Sequence, residues 1–327
     1  MHRTPLILTL LALIVSACAA QPVVPTTPSP LPSQTATSIP ATSTPLISAS
    51  LTPPASPTTT STPTSTSVPQ VAATATSIPP VTSIYNPYAV VRVLPDDVLN
   101  IRAAAGVGNR LVGTLQPTAS GVMRTGASAT ADGDLWVEVQ NPSGGTGWVN
   151  ADFLTESVSS ASFCTDSRVL SLIQSLQTAM LKADDDLLAS LVSPVHGMDV
   201  RLWRYGTVAN YSPEEAAWVF QSEYQVSWGA APGTGDETLG TFSAQPLPKL
   251  KEVLSSTYSL HCNDALDLAL FSLQPWPPEY ANINFYTLYK PGSEPYGGLD
   301  WRAWTVGVEY VQGQPKLFAL IHYQWEP

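Results

Sequence analysis

Leu99-Asn100-Ile101-Arg102, Leu111-Val112-Gly113-Thr114-Leu115, Leu135-Trp136-Val137-Glu138-Val139-Gln140 and Thr146-Gly147-Trp148-Val149-Asn150 decide how this chain is read. Each is a short run separated from the next by turn residues, and two further runs of the same kind, Ala89 to Leu94 and Gly121 to Thr125, lie among them. Many short strands at this spacing in so little chain predict a small all-β barrel.

Smaller signatures sit between and within the strands. Gly106-Val107-Gly108-Asn109 follows the first, Asp134 opens the run through Trp136, and Gly147-Trp148-Val149-Asn150 is followed by Phe153-Leu154. In this order the pieces resemble a bacterial SH3 (SH3b) domain over residues 85–157. Ala105 stands where that family often has proline, and Pro117-Thr118-Ala119-Ser120-Gly121 replaces its usual turn, changes that bear on loop shape more than on fold. The resemblance implies an extracytoplasmic binding module for cell-wall peptide or an envelope protein, with Asn100, Arg102, Trp136 and Trp148 as the candidate ligand contacts.

Upstream, the composition changes abruptly. After Arg3 no Asp, Glu, Lys or Arg occurs before Arg92. Met1-His2-Arg3 and the apolar run Leu6 to Val15 form the n- and h-regions of an export signal, too short to span a bilayer as a stable helix. Val15-Ser16-Ala17-Cys18 resembles the lipobox of bacterial lipoproteins, which implies that residues 1–17 are a signal peptide and that Cys18 becomes an acylated N-terminus. Residues 18–84 are dominated by Pro, Ser, Thr, Ala and Val, without charge, aromatic side chain or glycine. Such a segment has nothing to pack, and at about 3.1 Å per residue in polyproline II it reaches at most ~200 Å. It reads as a disordered stalk between a lipid anchor and a folded head.

Downstream, residues 160–327 read as an α+β domain. Thr165-Asp166-Ser167 starts a helix carrying Leu170, Ile173, Leu176 and Met180; Asp184-Asp185-Asp186 starts a second; Ser212-Pro213-Glu214-Glu215 is a capping box for a third through Phe220. Strands follow over Asn284 to Tyr289, Trp301 to Val311 and Lys316 to Trp325. The turn at Gln312-Gly313 sets Val311 opposite Gln314 and Glu309 opposite Lys316 as a charge pair. A sheet wrapped on a long helix, as in the NTF2-like fold, is one architecture this order allows.

The chain has 14 Lys and Arg against 25 Asp and Glu, and its net charge of −11 disfavours nucleic acid and charge-driven docking on an anionic membrane. No cofactor or metal motif is present: the glycine-rich Gly229 to Gly235 lacks a following Gly-Lys-Ser/Thr, and the three adjacent aspartates lack the spacing of a calcium loop. Cys164 and Cys262, exported together, are expected to form a disulfide. If instead either were free, it could pair with His196, His261 or His322 as a nucleophile. Asp300 and Glu309 could be the paired acids of a glycosidase, but on one strand they lie too far apart for the ~5–9.5 Å that chemistry requires, and the C-terminal segment is dense in tryptophan: Trp203, Trp218, Trp228, Trp276, Trp301, Trp304 and Trp325. The expectation is a non-catalytic envelope-binding lipoprotein, extracytoplasmic and anchored to a bacterial membrane. A wall-modifying hydrolase with its active site in residues 160–327, and an assembly factor presenting that segment to a protein partner, are the alternatives.

Replacing Cys18 with alanine should leave the precursor unprocessed or release the chain from the membrane fraction. Mass spectrometry of the wild-type N-terminus should find diacyl or triacyl mass on Cys18; an unmodified N-terminus at another residue would exclude the anchor.

Overall fold

The computed structural model describes residues 87–203, 206–266 and 276–326; the expected signal peptide, Cys18 and the expected stalk lie outside them. Within them the protein is mostly β-sheet with few helices.

The first strands are β1 (Tyr88–Val90), β2 (Leu99–Arg102), β3 (Leu111–Leu115), β4 (Arg124–Ala131), β5 (Asp134–Gln140), β6 (Thr146–Asn150) and β7 (Leu154–Glu156). Five of them form an antiparallel sheet in the order β3-β2-β6-β5-β4. Leu99 and Ile101, Val137 and Val139, and Val149 alternate onto one face and build a core with Val90, Val93, Leu115, Val122 and Leu154. Close approach of β6 to β2 requires glycine at 147, where a Cβ would lie 2.5 Å from Ile101 Cγ2 and 2.9 Å from the Arg102 carbonyl oxygen.

The expected closed barrel is not formed. β1 leaves the five strands to pair with β7, and the Tyr88–Val122 bridge and the Val90 N–H to Ala119 carbonyl bond join that ladder to the rest. β4 is also longer than expected, and its register against β5 shifts between Arg124 and Ser128, a bulge.

The remaining elements are α1 (Ser160–Thr165), α2 (Ser167–Lys182), α3 (Asp185–Leu191), β8 (Met198–Arg201), β9 (Val208–Tyr211), α4 (Pro213–Ala216), β10 (Val226–Ala230), β11 (Glu237–Gly240), α5 (Pro246–Leu254), β12 (Ser259–Cys262), β13 (Asn284–Lys290), β14 (Arg302–Val311) and β15 (Gln314–Gln324). Six strands make one sheet, β12-β13-β14-β15-β8-β9, antiparallel except where β8 runs parallel to β15. β14 and β15 are buried along nearly their whole length because both faces are covered. Trp304, Val306 and Val308 point into a core shared with α2, α3 and α5, while Ala303, Phe318 and Ile321 belong to a second cluster with Tyr280, Ile283 and Val91.

The helices begin where expected but differ in extent. Asp166 caps α2 by accepting the Arg168 N–H at 2.9 Å, and Asp184 caps α3 through the Leu187 N–H at 3.0 Å. Val169, Leu172, Ile173, Leu176 and Met180 face the core, so Leu170, expected inside, is exposed by a shift of one residue. Ser212 and Glu215 complete the capping box of α4, but the helix ends at Ala216 instead of continuing to Phe220, and the next residues form turns. α5 was not foreseen, since Pro246 and Pro248 masked it; both prolines fall in its first turn, where a missing N–H costs nothing.

The 314–311 hairpin has the expected register, with Glu309 opposite Lys316, but the two do not form an ion pair. Lys316 Nζ donates to the Ser190 carbonyl at 2.7 Å, and Glu309 turns into the interior to accept from Thr155 Oγ1 at 3.1 Å and meet His196 Nδ1 at 2.7 Å. Cys164 and Cys262 form a disulfide with Cα atoms 5.8 Å apart, tying the end of α1 to β12. Closing a loop with a sequence separation of 98 stabilises by up to about 4.7 kcal/mol in the chain-entropy view.

One buried carboxylate joins the first strands to the large sheet. Asp199 on β8 accepts from Arg92 Nη2 at 2.9 Å, Asn210 Nδ2 at 2.7 Å and the Tyr280 hydroxyl at 2.6 Å. Arg92 also donates to the His196 carbonyl at 2.8 Å and lies over the Phe318 ring, 5.2 Å from its centre. Its backbone sits at φ 60°, a left-handed conformation unfavourable for a side chain of this size, and its N–H is taken by the Glu279 carbonyl at 2.8 Å. Arg92→Ala should therefore lower stability by about 2–4 kcal/mol by leaving Asp199 buried without its cation. Urea denaturation should show a lower midpoint at unchanged m; a loss below about 0.5 kcal/mol would mean that the contact does not join the two regions.

Candidate functional site

Because β2, β5 and β6 send Leu99, Ile101, Val137 and Val149 inward, the intervening residues share the opposite face. Trp136 and Asn150 are direct partners across β5 and β6, and Arg102 pairs with Trp148 across β2 and β6. On this face, between the 93–98 and 103–110 connections, lies an open groove of about 320 Å³. Asn100, Arg102, Trp136, Asn150 and Phe153 line it together with the charged Arg92 and Asp97, and the exposed side chains of Leu94 and Val107 form part of its rim.

Three of the four residues expected to contact a ligand meet here. Trp136 is 3% exposed and forms the floor; its indole N–H donates to the Ala131 carbonyl at 3.2 Å, and it stands apart from the hydrophobic cluster on the other face. Arg102 Nη1 donates to the Asn109 carbonyl at 2.8 Å, and the guanidinium makes no ion pair among the described residues. The Asn100 amide makes no hydrogen bond among the described residues, so its donor and acceptor remain available. Trp148 is half-buried and does not line the groove, which ends at its strand partner Arg102.

Asn150 and Phe153 are among the groove residues that the sequence reading missed, as are the charged Arg92 and Asp97. Asn150 could have been found from Trp148 by the two-residue period of a strand. Phe153 could not, because a 3-10 turn over Ala151–Phe153 brings it round. Asn150 is engaged on both ends of its amide, donating to Asp134 Oδ2 at 2.9 Å and accepting from the Asp152 N–H at 2.9 Å, so it shapes the groove and leaves the contacts to Arg102 and Asn100. Arg102, unpaired among the described residues although Asp97 is also in the lining, together with a free amide and an apolar rim over an indole, can seat an extended chain that carries a carboxylate. The lining side chains include no adjacent nucleophile and base.

The catalytic alternatives disperse. With Cys164 and Cys262 joined, neither sulfur is a free thiol. His196 faces Glu309, His261 Nε2 meets Ser259 Oγ at 2.7 Å, and His322 is buried beside Trp304 and Trp203. Asp300 accepts the Ser293 N–H and hydroxyl, which hold its carboxyl below the usual range, whereas Glu309 is interior, so the two acids do not share a site. Asp184 is spent on its cap, and Asp185 accepts the Phe220 N–H at 2.9 Å and Gln221 Nε2 at 2.8 Å. Among the described residues no group of three or more His, Cys, Asp or Glu side chains is placed to hold a metal, and no helix is long and apolar enough to cross a membrane.

The chain matches no protein-family model, no curated protein and no solved structure.

His322 donates Nδ1–H to the Leu202 carbonyl at 3.1 Å, while Nε2 is buried without a partner. Burial first, and then the nearby Lys249 charge, push its pKa down to about 3. The unfolded chain, with an ordinary histidine near 6.5, therefore binds an extra proton between the two values. The residue's contribution to stability is complete above the unfolded pKa and falls as pH drops toward the folded one, by up to about 1.4 kcal/mol per pH unit. His322→Gln should flatten the dependence of unfolding free energy on pH in this window, measured by urea denaturation; an unchanged slope would mean that His322 also protonates in the folded state.

Proposed function

We propose that the protein is an extracytoplasmic lipoprotein that binds cell-wall peptide without cleaving it. In this reading Cys18 carries the lipid, residues 18–84 form the stalk, residues 85–157 are an opened SH3b-like module, and residues 160–327 are an α+β domain of the NTF2-like kind packed against it. The long α2 packed against the six-stranded sheet favours that last assignment.

The observation that carries the reading is the convergence of Asn100, Arg102 and Trp136 on one open groove, with Arg102 lacking an acidic partner among the described residues. Stem peptides of the wall are short, extended and end in carboxylates, which suits a guanidinium beside a free amide. The chain's negative charge leaves no general attraction to anionic wall polymers, so contact must come from this groove. A module on a long tether also meets a neighbouring polymer at high effective concentration, so modest affinity suffices. The disulfide fits an oxidising compartment.

The purified full chain should co-sediment with isolated peptidoglycan, and Arg102→Ala and Asn100→Ala should each weaken binding by about tenfold, the loss of one charge-assisted contact. Trp148→Ala should bind as wild type. Trp136→Ala is unsuitable, since emptying the groove floor would destabilise the fold. Sedimentation that is absent, or indifferent to Arg102 and Asn100, would overturn the proposal, and release of soluble muropeptides would replace it with a hydrolase.

A further inference from the structure

A second cleft lies in the C-terminal segment, remote in sequence from the first. It has a volume of about 290 Å³ and is bounded by β9, α4 and the start of β10. Phe242, 2% exposed, is held edge-on by Tyr211 with ring centres 5.6 Å apart and planes at 82°. Trp218 and Tyr224 also line it and are 50% and 72% exposed. Neither is packed against another aromatic ring among the described residues, although Trp and Tyr left this open forgo much of their burial.

The charge of the cleft has one sign. Glu215 is its ionised lining residue, no Lys or Arg lines it, and Glu214 and Glu223 stand exposed nearby. Glu215 Oε2 accepts the Ser212 N–H at 2.8 Å in the capping box, leaving Oε1 with no hydrogen bond among the described residues. Burial first, then the Glu215 carboxylate, then Tyr224, raise the Tyr211 hydroxyl above its ordinary pKa, so these three groups are close together and the phenol stays neutral.

We propose that this cleft binds a quaternary ammonium group. Several aromatic rings around one carboxylate, with no competing cation, form the arrangement that attracts a weakly hydrated organic cation through ring faces and charge together. Four rings with Ala209, Val219 and Val226 make up most of the lining, and Glu215, Asn210 and Ser222 are its non-aromatic polar side chains, so the cleft offers more ring and apolar surface than the three acceptors a primary ammonium would need. An anionic ligand would face Glu215 with nothing to balance it. The overall negative charge of the chain also draws cations toward it.

Isothermal titration of the full chain at low salt, in a non-ionic detergent, tests this with choline and its neutral carbon isostere 3,3-dimethyl-1-butanol. Choline should bind saturably and at least about tenfold more tightly than the isostere. Trp218→Ala and Glu215→Gln should each weaken choline by about tenfold; glutamine retains the capping box, and an unchanged thermal melt confirms the fold. A parallel titration with glycerophosphocholine separates the sources: binding of both compounds assigns a headgroup carried on a phosphodiester, and binding of choline alone assigns a free solute. Equal binding of the isostere, no binding of choline, or tighter binding of N-acetylglucosamine oligomers would overturn the proposal.

Discussion

The Asp199 carboxylate is the point on which the two regions of the described chain meet. It is 6% exposed and is satisfied by a guanidinium, a phenol and an amide drawn from three separate places in the sequence. A carboxylate so deeply placed is tolerable only when charge and hydrogen bonds both compensate its lost hydration. That requirement holds Arg92 in a left-handed conformation and draws Tyr280 against the sheet. Asn282 extends the junction by donating to the Val90 carbonyl at 2.8 Å. The same junction accounts for the unclosed barrel, because β1, which would have sealed it, is committed with β7 to the edge facing the large sheet.

A second polar contact runs through the same boundary. Glu309, Thr155 and His196 form a buried cluster in which Glu309 Oε1 and His196 Nε2 find no partner, while Glu156 accepts the N–H groups of Gln312 and Gly313 at the hairpin turn. These polar pairs help register β7 against β14. Buried groups of this kind constrain which partner fits, since any slip leaves a donor or acceptor unpaired.

The two clefts differ in chemistry because their local charges differ. The groove on the small sheet offers Arg102 and an uncommitted amide above a buried indole; the cleft beside α4 offers Glu215 among open rings. Tryptophan alone separates neither site from core. Trp228 and Trp304 are fully enclosed, with indole N–H groups donating to Gly240 and Lys249 carbonyls, whereas Trp218, of the same residue type and only ten positions before Trp228, stands half exposed.

Much was legible in local sequence because its causes are local. The capping residues Asp166, Asp184 and Ser212, the hairpin register at Gln312-Gly313 and most strands of the small sheet follow from side chains acting on backbone groups a few residues away. The pairing of Cys164 with Cys262 followed from composition and export, with no other cysteine among the described residues. Asn100, Arg102 and Trp136 were named as candidate contacts by the SH3b resemblance, and it is the fold that sets them on one groove. Tertiary structure decided what depends on distant partners. β8 lies parallel to β15, Lys316 gives up Glu309 for the Ser190 carbonyl, Trp148 falls outside the groove, and Leu170 faces water. The parallel pairing of β8 with β15 joins residues more than a hundred positions apart, and Glu309 leaves Lys316 to meet His196 and Thr155 in the interior; neither is encoded in the spacing of neighbours.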